Sequence, residues 1–240
     1  MQQQRRVIVT GASSGIGAAA VRMFRANGWA VLGVARRADR LAALAAETGC
    51  DVLVVDVTDG DSVAAMVEHL EQLGPVHALV NNAGGAFGQD SIESGDVDEW
   101  RRMYEVNVIG VKRVITAVLP LLRRAVAPRD SATIVNITSI AGHIAYEGGG
   151  GYNAAKFAAH ALTAVLRLEL AGEPIRVVEI APGMVKTDEF SLIRFAGDQA
   201  RADKVYENVP APLTAEDVAA EIVHACELAP HIDLDLVTIK

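Results

Sequence analysis

Short apolar runs alternate with longer stretches of helical periodicity from one end of the chain to the other. The runs at 7–10, 30–35, 52–56, 78–81, 133–138, 176–180 and 236–239 are mostly β-branched and nearly continuous in apolarity, as strands buried on both faces should be. Between them, apolar positions recur at helical spacing over about 15–27, 38–47, 61–72, 97–124, 152–171 and 214–228. This alternation predicts an α/β fold: a doubly wound, seven-stranded parallel sheet with helices on both faces.

Several boundaries have local chemistry behind them. Asn27-Gly28 supplies a left-handed stop before the second strand, and Thr214 with Asp217 has the spacing of a capping box. No repeat, low-complexity tract or linker divides the chain, so residues 1–240 are expected to form one domain. The exception to regularity is 181–213, where Pro182-Gly183, Gly197, Pro210 and Pro212 interrupt any long element. A loop of that length reads as a lid or binding loop, and a substrate lid is expected over about 183–213.

Composition narrows the partners. Against 30 acidic residues stand 22 basic ones, a formal charge of -8, so neither nucleic acid nor an anionic membrane is an expected partner. Any basic site must be local. No apolar stretch approaches the roughly 20 residues of a membrane span, and the run after residues 1–6 is too short for a signal segment. Cys50 and Cys226 read as reduced packing thiols, and a cytoplasmic location is expected.

The first strand ends in Thr10-Gly11-Ala12-Ser13-Ser14-Gly15-Ile16-Gly17 and runs straight into a helix. Glycines at such a turn let the backbone approach a pyrophosphate, while the helix N-terminus offers unpaired N–H groups; a tight βα turn alone also accommodates glycines. The second strand ends Val34-Ala35-Arg36-Arg37, with arginines where a fold preferring NAD would place an acidic residue for the ribose 2'-hydroxyl. Their planar donors suit a 2'-phosphate, hence NADP, the alternative being a solvated basic helix start that opposes the macrodipole. Asp56 is placed either to accept from an adenine amino group or to cap the next helix. Asn81-Asn82-Ala83-Gly84-Gly85 is a small-residue turn against which a flat ring or sugar can lie.

Tyr152 and Lys156 are four apart on a predicted helix and share a face. An ammonium beside a phenol favours the phenolate, moving the tyrosine toward the range useful for acid–base work. Ser139 ends the fifth strand at the mouth of the sheet, where its hydroxyl can meet a substrate carbonyl.

Taken together, residues 10–17, Asn81-Asn82-Ala83-Gly84, Asn107 in Glu-Val-Asn-Val, Ser139, Tyr152-Asn-Ala-Ala-Lys156 and Pro182-Gly183 resemble the short-chain dehydrogenase/reductase family in order and spacing. That resemblance covers essentially the whole chain and implies a single-domain Rossmann fold with NADP as cofactor. It implies that Tyr152 is the general acid or base, that Lys156 lowers its pKa and holds the nicotinamide ribose, that Ser139 polarises the carbonyl, and that Asn107 completes a proton relay. Cofactor contacts are implied for Gly11, Ser13, Ser14, Gly15, Ile16, Gly17, Arg36, Arg37, Asp56, Val57, Asn81, Ala83, Gly84, Tyr152, Lys156, Pro182, Gly183, Val185 and Thr187. Association as a homodimer or homotetramer through the helices at about 97–124 and 152–171 is implied too, the second presenting Ala154, Ala158, Ala161 and Val165.

The variable region, from Glu189-Phe190 through Phe195 and on to 212–218 and 229–231, looks like bacterial NADP-dependent 3-hydroxy acid dehydrogenases that also oxidise serine and reduce malonic semialdehyde. A small-molecule 3-hydroxy acid is therefore the expected substrate. Arg194 is the candidate clamp for its carboxylate, or else a surface or subunit-contact arginine. His143 is a candidate substrate contact or a simple loop histidine. Four glycines at 148–151 either approach a ligand or relieve crowding before the helix. The alternatives are the same chemistry on another carbonyl class, such as a carrier-protein ketone, a biosynthetic aldehyde or a steroid-like alcohol, and a non-catalytic NADP-binding regulator. The regulator would be expected to have lost part of the Asn-Ser-Tyr-Lys set. No histidine lies in a metal-binding sequence pattern, and no metal is expected.

Overall fold

The computed structural model describes residues 4–126, 130–187, 189–207 and 209–240. Each apolar run becomes a strand: β1 (Arg6–Thr10), β2 (Ala30–Ala35), β3 (Asp51–Val54), β4 (Ala78–Asn81), β5 (Ala132–Ile137), β6 (Ile175–Pro182) and β7 (Leu236–Ile239). They form one parallel sheet in the order β3-β2-β1-β4-β5-β6-β7. Register follows from in-step pairing, with Val7 and Val9 opposite Val31 and Gly33 on one side and opposite Ala78 and Val80 on the other.

Nine helices connect the strands among the described residues: α1 (Gly15–Ala26), α2 (Ala38–Thr48), α3 (Gly60–Leu73), α4 (Val97–Tyr104), α5 (Gly110–Ala125), α6 (Gly150–Glu169), α7 (Phe190–Arg194), α8 (Gln199–Lys204) and α9 (Ala215–Glu227). The period of two along each strand divides the core. Val7, Val9, Val80 and Val135 pack against Val21 and Phe24 of α1, Leu44 of α2 and Ile222 of α9. Ile8, Leu79 and Ile134 point the other way, onto Met66 of α3, Val118 and Leu122 of α5 and Leu166 of α6. Both faces of the sheet are thus covered, which is why the central strands read as unbroken apolar runs. Cys50 and Cys226 are free and buried. The Thr214 capping box forms: its hydroxyl accepts from the Asp217 N–H at 3.1 Å, and the Asp217 carboxylate accepts from the Thr214 N–H at 2.8 Å.

Two expectations are corrected. The helix predicted over 97–124 is interrupted by a π turn at Glu105–Ile109, which separates α4 from α5 and carries Asn107. Such an extra residue in the ladder re-aims the side chains around it. The excursion at 181–213 is not wholly irregular. β6 continues to Pro182, and α7 and α8 form short helices separated by Ala196 and Gly197, both with positive φ. A parallel bridge between Val185 and Leu213 ties the base of the excursion together. Residues 188 and 208 of the expected lid lie outside the described residues.

Candidate active site

In this strand order β1 lies beside β4, so chain progression reverses between them. Loops leaving the C-terminal ends of the two strands part in opposite directions and open a crevice, the place where ligands bind in open α/β sheets. The crevice here is a cleft of about 1180 Å³.

Its floor is made rigid by main-chain contacts. The Thr10 hydroxyl accepts from the N–H groups of Asn82 and Ala83 at 3.0 and 2.9 Å, and Asn82 Nδ2 donates back to the Thr10 carbonyl at 2.9 Å. Gly17, in the first turn of α1, lies so close beneath this brace that a Cβ would sit 2.3 Å from the Gly11 carbonyl oxygen and 2.6 Å from Asn82 Nδ2. Gly11 itself has φ +67°, a left-handed conformation that suits glycine. Ser14 is the N-cap of α1 but makes no side-chain capping bond, and no acidic residue occupies the first turn. The helix therefore points uncapped N–H groups and a positive dipole end toward the cleft.

Arg36 and Arg37 both line the cleft. Arg37 donates from Nη2 to Ser13 Oγ at 2.9 Å and to Ser14 Oγ at 2.8 Å. Its Nη1 lies 2.7 Å from Glu189 Oε2, and Arg40 reaches the other Glu189 oxygen at 3.4 Å. Burial works against the Glu189 charge, but hydrogen bonds from Arg37 and Ser14 outweigh it and hold the carboxyl below its usual range. No local pattern marks Glu189 in the sequence as a partner for residues about 150 positions earlier. Asp56 lines the cleft and accepts from the Thr58 N–H and hydroxyl at 2.9 and 2.7 Å. Although burial opposes it, the Thr58 bonds and the positive charges of Arg36 and Arg113 keep this carboxyl low. Asp59, not Asp56, caps α3, which removes the capping alternative.

Every expected cofactor contact lines the cleft except Gly17, which lies beneath it, and Asn81, whose buried amide donates to Asn136 Oδ1 at 2.8 Å. Thr187 bends over the glycine turn, so that a Cβ on Gly15 would lie 3.3 Å from its methyl group. Asn107 is also buried. It donates to the carbonyls of Gly85 and Met103, both at 2.8 Å, and backs the Gly84-Gly85 turn so closely that a Cβ on Gly84 would come within 2.6 Å of its Oδ1.

Ser139 follows β5 and accepts from the Ala141 N–H at 3.1 Å. Tyr152 lies in the first turn of α6 with Lys156 one turn on, and all three line the cleft. Burial pushes the Tyr152 phenol up to about 12, opposed by a hydrogen bond from the Ser139 hydroxyl and by the Arg194 charge. Burial likewise pushes the Lys156 ammonium down to about 8, against the pull of the Glu179 carboxylate. The expected lowering of the tyrosine by the lysine is therefore absent from this structure. Both groups are poorly hydrated, and the ammonium donates instead to the Ile137 carbonyl at 3.1 Å, 5.8 Å from the Tyr152 ring centre.

Arg194, at the end of α7, donates from Nε to the Gly88 carbonyl at 3.0 Å. Its guanidinium lies 5.8 Å from the Tyr152 ring centre and 5.7 Å from that of Tyr146. Nη2 is buried and has no hydrogen-bond partner among the described residues. Phe190, from the same helix, meets the Tyr152 ring edge-on at 5.9 Å. His143 is not in the cleft lining: its ring turns away to Glu179, with Nε2 3.1 Å from Oε1. The glycine run that leads into the first turn of α6 relieves crowding, since a Cβ at Gly151 would lie 2.4 Å from Met103 Cε and one at Gly150 would lie 2.8 Å from the Trp100 ring.

Comparison with known proteins agrees with this architecture. The short chain dehydrogenase family model matches residues 5–194. A sulfoacetaldehyde reductase of Chromohalobacter salexigens is 39% identical, over 95% of this chain and 90% of its own length. The NADP-dependent 3-hydroxy acid dehydrogenase YdfG of Salmonella typhi is 37% identical, over 96% of this chain and 92% of its own. Among solved structures, the closed form of a serine dehydrogenase complexed with NADP+ superposes with a TM-score of 0.91 at 34% identity, covering 98% of this chain and 94% of that one. The chain belongs to the short-chain dehydrogenase family of oxidoreductases.

Proposed function

We propose that this protein is an NADP(H)-dependent oxidoreductase interconverting a small anionic carbonyl compound, of the 3-oxo acid class, with its alcohol. The observation that carries the substrate class is the buried Nη2 of Arg194 beside Tyr152, which has no partner among the described residues. An unmatched guanidinium nitrogen in a cleft is costly until an anion reaches it, and a carboxylate or sulfonate would supply paired acceptors. Names of the relatives point the same way, since sulfoacetaldehyde and 3-hydroxy acids each carry such an anion.

The fit of the cofactor rests on the cradle at Gly11 and Gly17, the uncapped start of α1, and the cluster of Arg37 with Ser13 and Ser14. The first two suit a pyrophosphate and the third a 2'-phosphate. When bound, NADP(H) supplies or accepts the hydride. Ser139 and Tyr152 are assigned to hold the carbonyl oxygen. With its pKa near 12, Tyr152 carries its proton throughout the neutral range and serves as the acid in the reductive direction. Lys156 is assigned to the nicotinamide ribose, while Asn107, bonded to main chain on both sides, positions the Gly84-Gly85 turn. The 183–213 excursion is assigned as the lid, because α7 brings Phe190 and Arg194 onto Tyr152. Exposed Phe157, Val165 and Leu168 on α6 support self-association as a dimer or tetramer, for which light scattering at micromolar concentration is the test.

A second reading is favoured by the apolar lining from Phe87, Ile144, Met184 and Ile193, which would accept a bulkier neutral carbonyl. Comparing a 3-hydroxy acid with its methyl ester decides between the two. The acid should be preferred at least about tenfold in kcat/KM, the worth of one charge-assisted hydrogen bond. Arg194→Met should erase that preference. Equal use of acid and ester by the wild type would refute the anionic substrate class.

A further inference from the structure

His143, His160 and Glu179 lie far apart in sequence but meet behind the catalytic face. Glu179 is in the middle of β6 with its side chain only 2% exposed. His143 closes the short turn after Ser139, and His160 lies one turn beyond Lys156 on α6. His143 Nε2 is 3.1 Å from Glu179 Oε1, and His160 Nδ1 is 2.7 Å from Oε2. The two imidazoles meet edge to face with centres 4.3 Å apart. All three ligand-type atoms fall within 4.8 Å of one another. No lysine or arginine among the described residues forms an ion pair with Glu179, on which the Lys156 ammonium acts only from a longer range.

A carboxylate so deeply buried is costly without a compensating cation. We propose that these three side chains form a binding site for a divalent transition-metal ion of the zinc class, with His143 Nε2, His160 Nδ1 and the Glu179 carboxylate as ligands. The donor set selects the metal: two imidazoles and one carboxylate suit Zn²⁺, Co²⁺ or Ni²⁺, whereas Mg²⁺ and Ca²⁺ call for oxygen throughout. Ligands held at about 2.1 Å by a tetrahedral ion are about 3.4 Å from one another, so small rotations of the imidazoles complete the geometry.

Two further features fit. The Thr138 hydroxyl donates to Glu179 Oε1 at 2.7 Å and so fixes the carboxylate, the usual role of a group behind a metal ligand. The histidine side chains are 24% and 39% exposed, which leaves an entry path and a fourth position for water. An ion there would tie the turn bearing Ser139 to the helix bearing Tyr152 and Lys156.

The test uses the full chain after chelator treatment, titrated calorimetrically with ZnCl₂ alone and, separately, with Co²⁺ followed by visible absorption. One equivalent of Zn²⁺ should bind per chain with a Kd of about 1 µM or tighter, raising the melting temperature through linkage. Co²⁺ should develop the visible bands of a low-coordinate site. Loss of the buried carboxylate endangers folding, so the partly exposed histidines carry the test. His143→Gln and His160→Gln should each weaken Zn²⁺ binding by about 100-fold or more while keeping native circular dichroism. Absence of Zn²⁺ binding up to about 100 µM, or an equivalent that persists unchanged in both variants, would overturn the proposal.

Discussion

Glu189 occupies the place where the proposed 2'-phosphate would compete for Arg37, and its replacement by glutamine isolates that competition. The Arg37 contact is 2.7 Å long, with side chains 39% and 19% exposed, and the Arg40 contact is looser at 3.4 Å. Partly solvated pairs of this kind contribute about 1 kcal/mol or less. Glu189→Gln releases Arg37 and removes a negative charge from the neighbourhood of an incoming phosphate dianion, two effects of the same sign. Together they are worth about 1 kcal/mol, a gain of roughly fivefold in NADPH affinity. NADH has no 2'-phosphate and should change by less than about twofold. Titration of reduced-nicotinamide fluorescence measures both, and the NADPH gain should shrink with added salt. In an Arg37→Ala background the part of the gain that comes from releasing Arg37 should vanish, leaving only the smaller effect of the removed charge. Weaker NADPH binding by Glu189→Gln, or equal tightening of both cofactors, would refute the argument and recast Glu189 as a lid fastening that the cofactor needs.

Other outcomes can be checked independently. Tyr152→Phe should keep NADPH affinity but lose about 10²-fold or more in turnover, and steady-state kinetics showing undiminished kcat would remove Tyr152 from the acid–base role. Lys156 has a folded pKa of about 8 against about 10.5 when unfolded, so above pH 8 the unfolded chain binds more protons and the lysine's contribution to stability rises with pH. The melting temperature of the wild type relative to Lys156→Met should therefore climb between about pH 8 and 10; a flat difference would show that the ammonium is well hydrated. Gly17→Ala drives a methyl group to 2.3 Å from a main-chain oxygen, and the overpacking should cost about 1–3 kcal/mol and several degrees of melting temperature. Unchanged melting together with unchanged NADPH affinity would mean that the turn yields easily.

What could be read without the structure was what depends on neighbours in sequence. The strands at Val7 and Ile134, the Thr214 cap and the glycine turn at 11–17 each follow from a local pattern, and each forms where that pattern lies. The π turn around Asn107 did not show, because one extra residue barely disturbs helical periodicity over a long window. The Tyr152–Lys156 pair showed as a pair, but its electrostatics did not. Spacing reports that two side chains share a helix face, whereas the pKa direction depends on how much water reaches them.

One sequence signal bearing on the rest was present. β6 is an apolar strand buried along its whole length, yet it contains Arg176 and Glu179. A charge inside such a strand must be met by partners from other elements, since neither face of the sheet offers water. Arg176 meets its requirement with the Thr133 hydroxyl and carbonyls near the end of α9, among them Cys226 at 3.2 Å, and is thereby a structural brace. Glu179 has instead two imidazoles and one hydroxyl, all beside the residues assigned to proton transfer. The same rule that makes an apolar run legible as a strand thus marks its charged exceptions as places where distant parts of the chain converge. In this fold those places are a brace at one end of β6 and a metal-ligand constellation nearer the other.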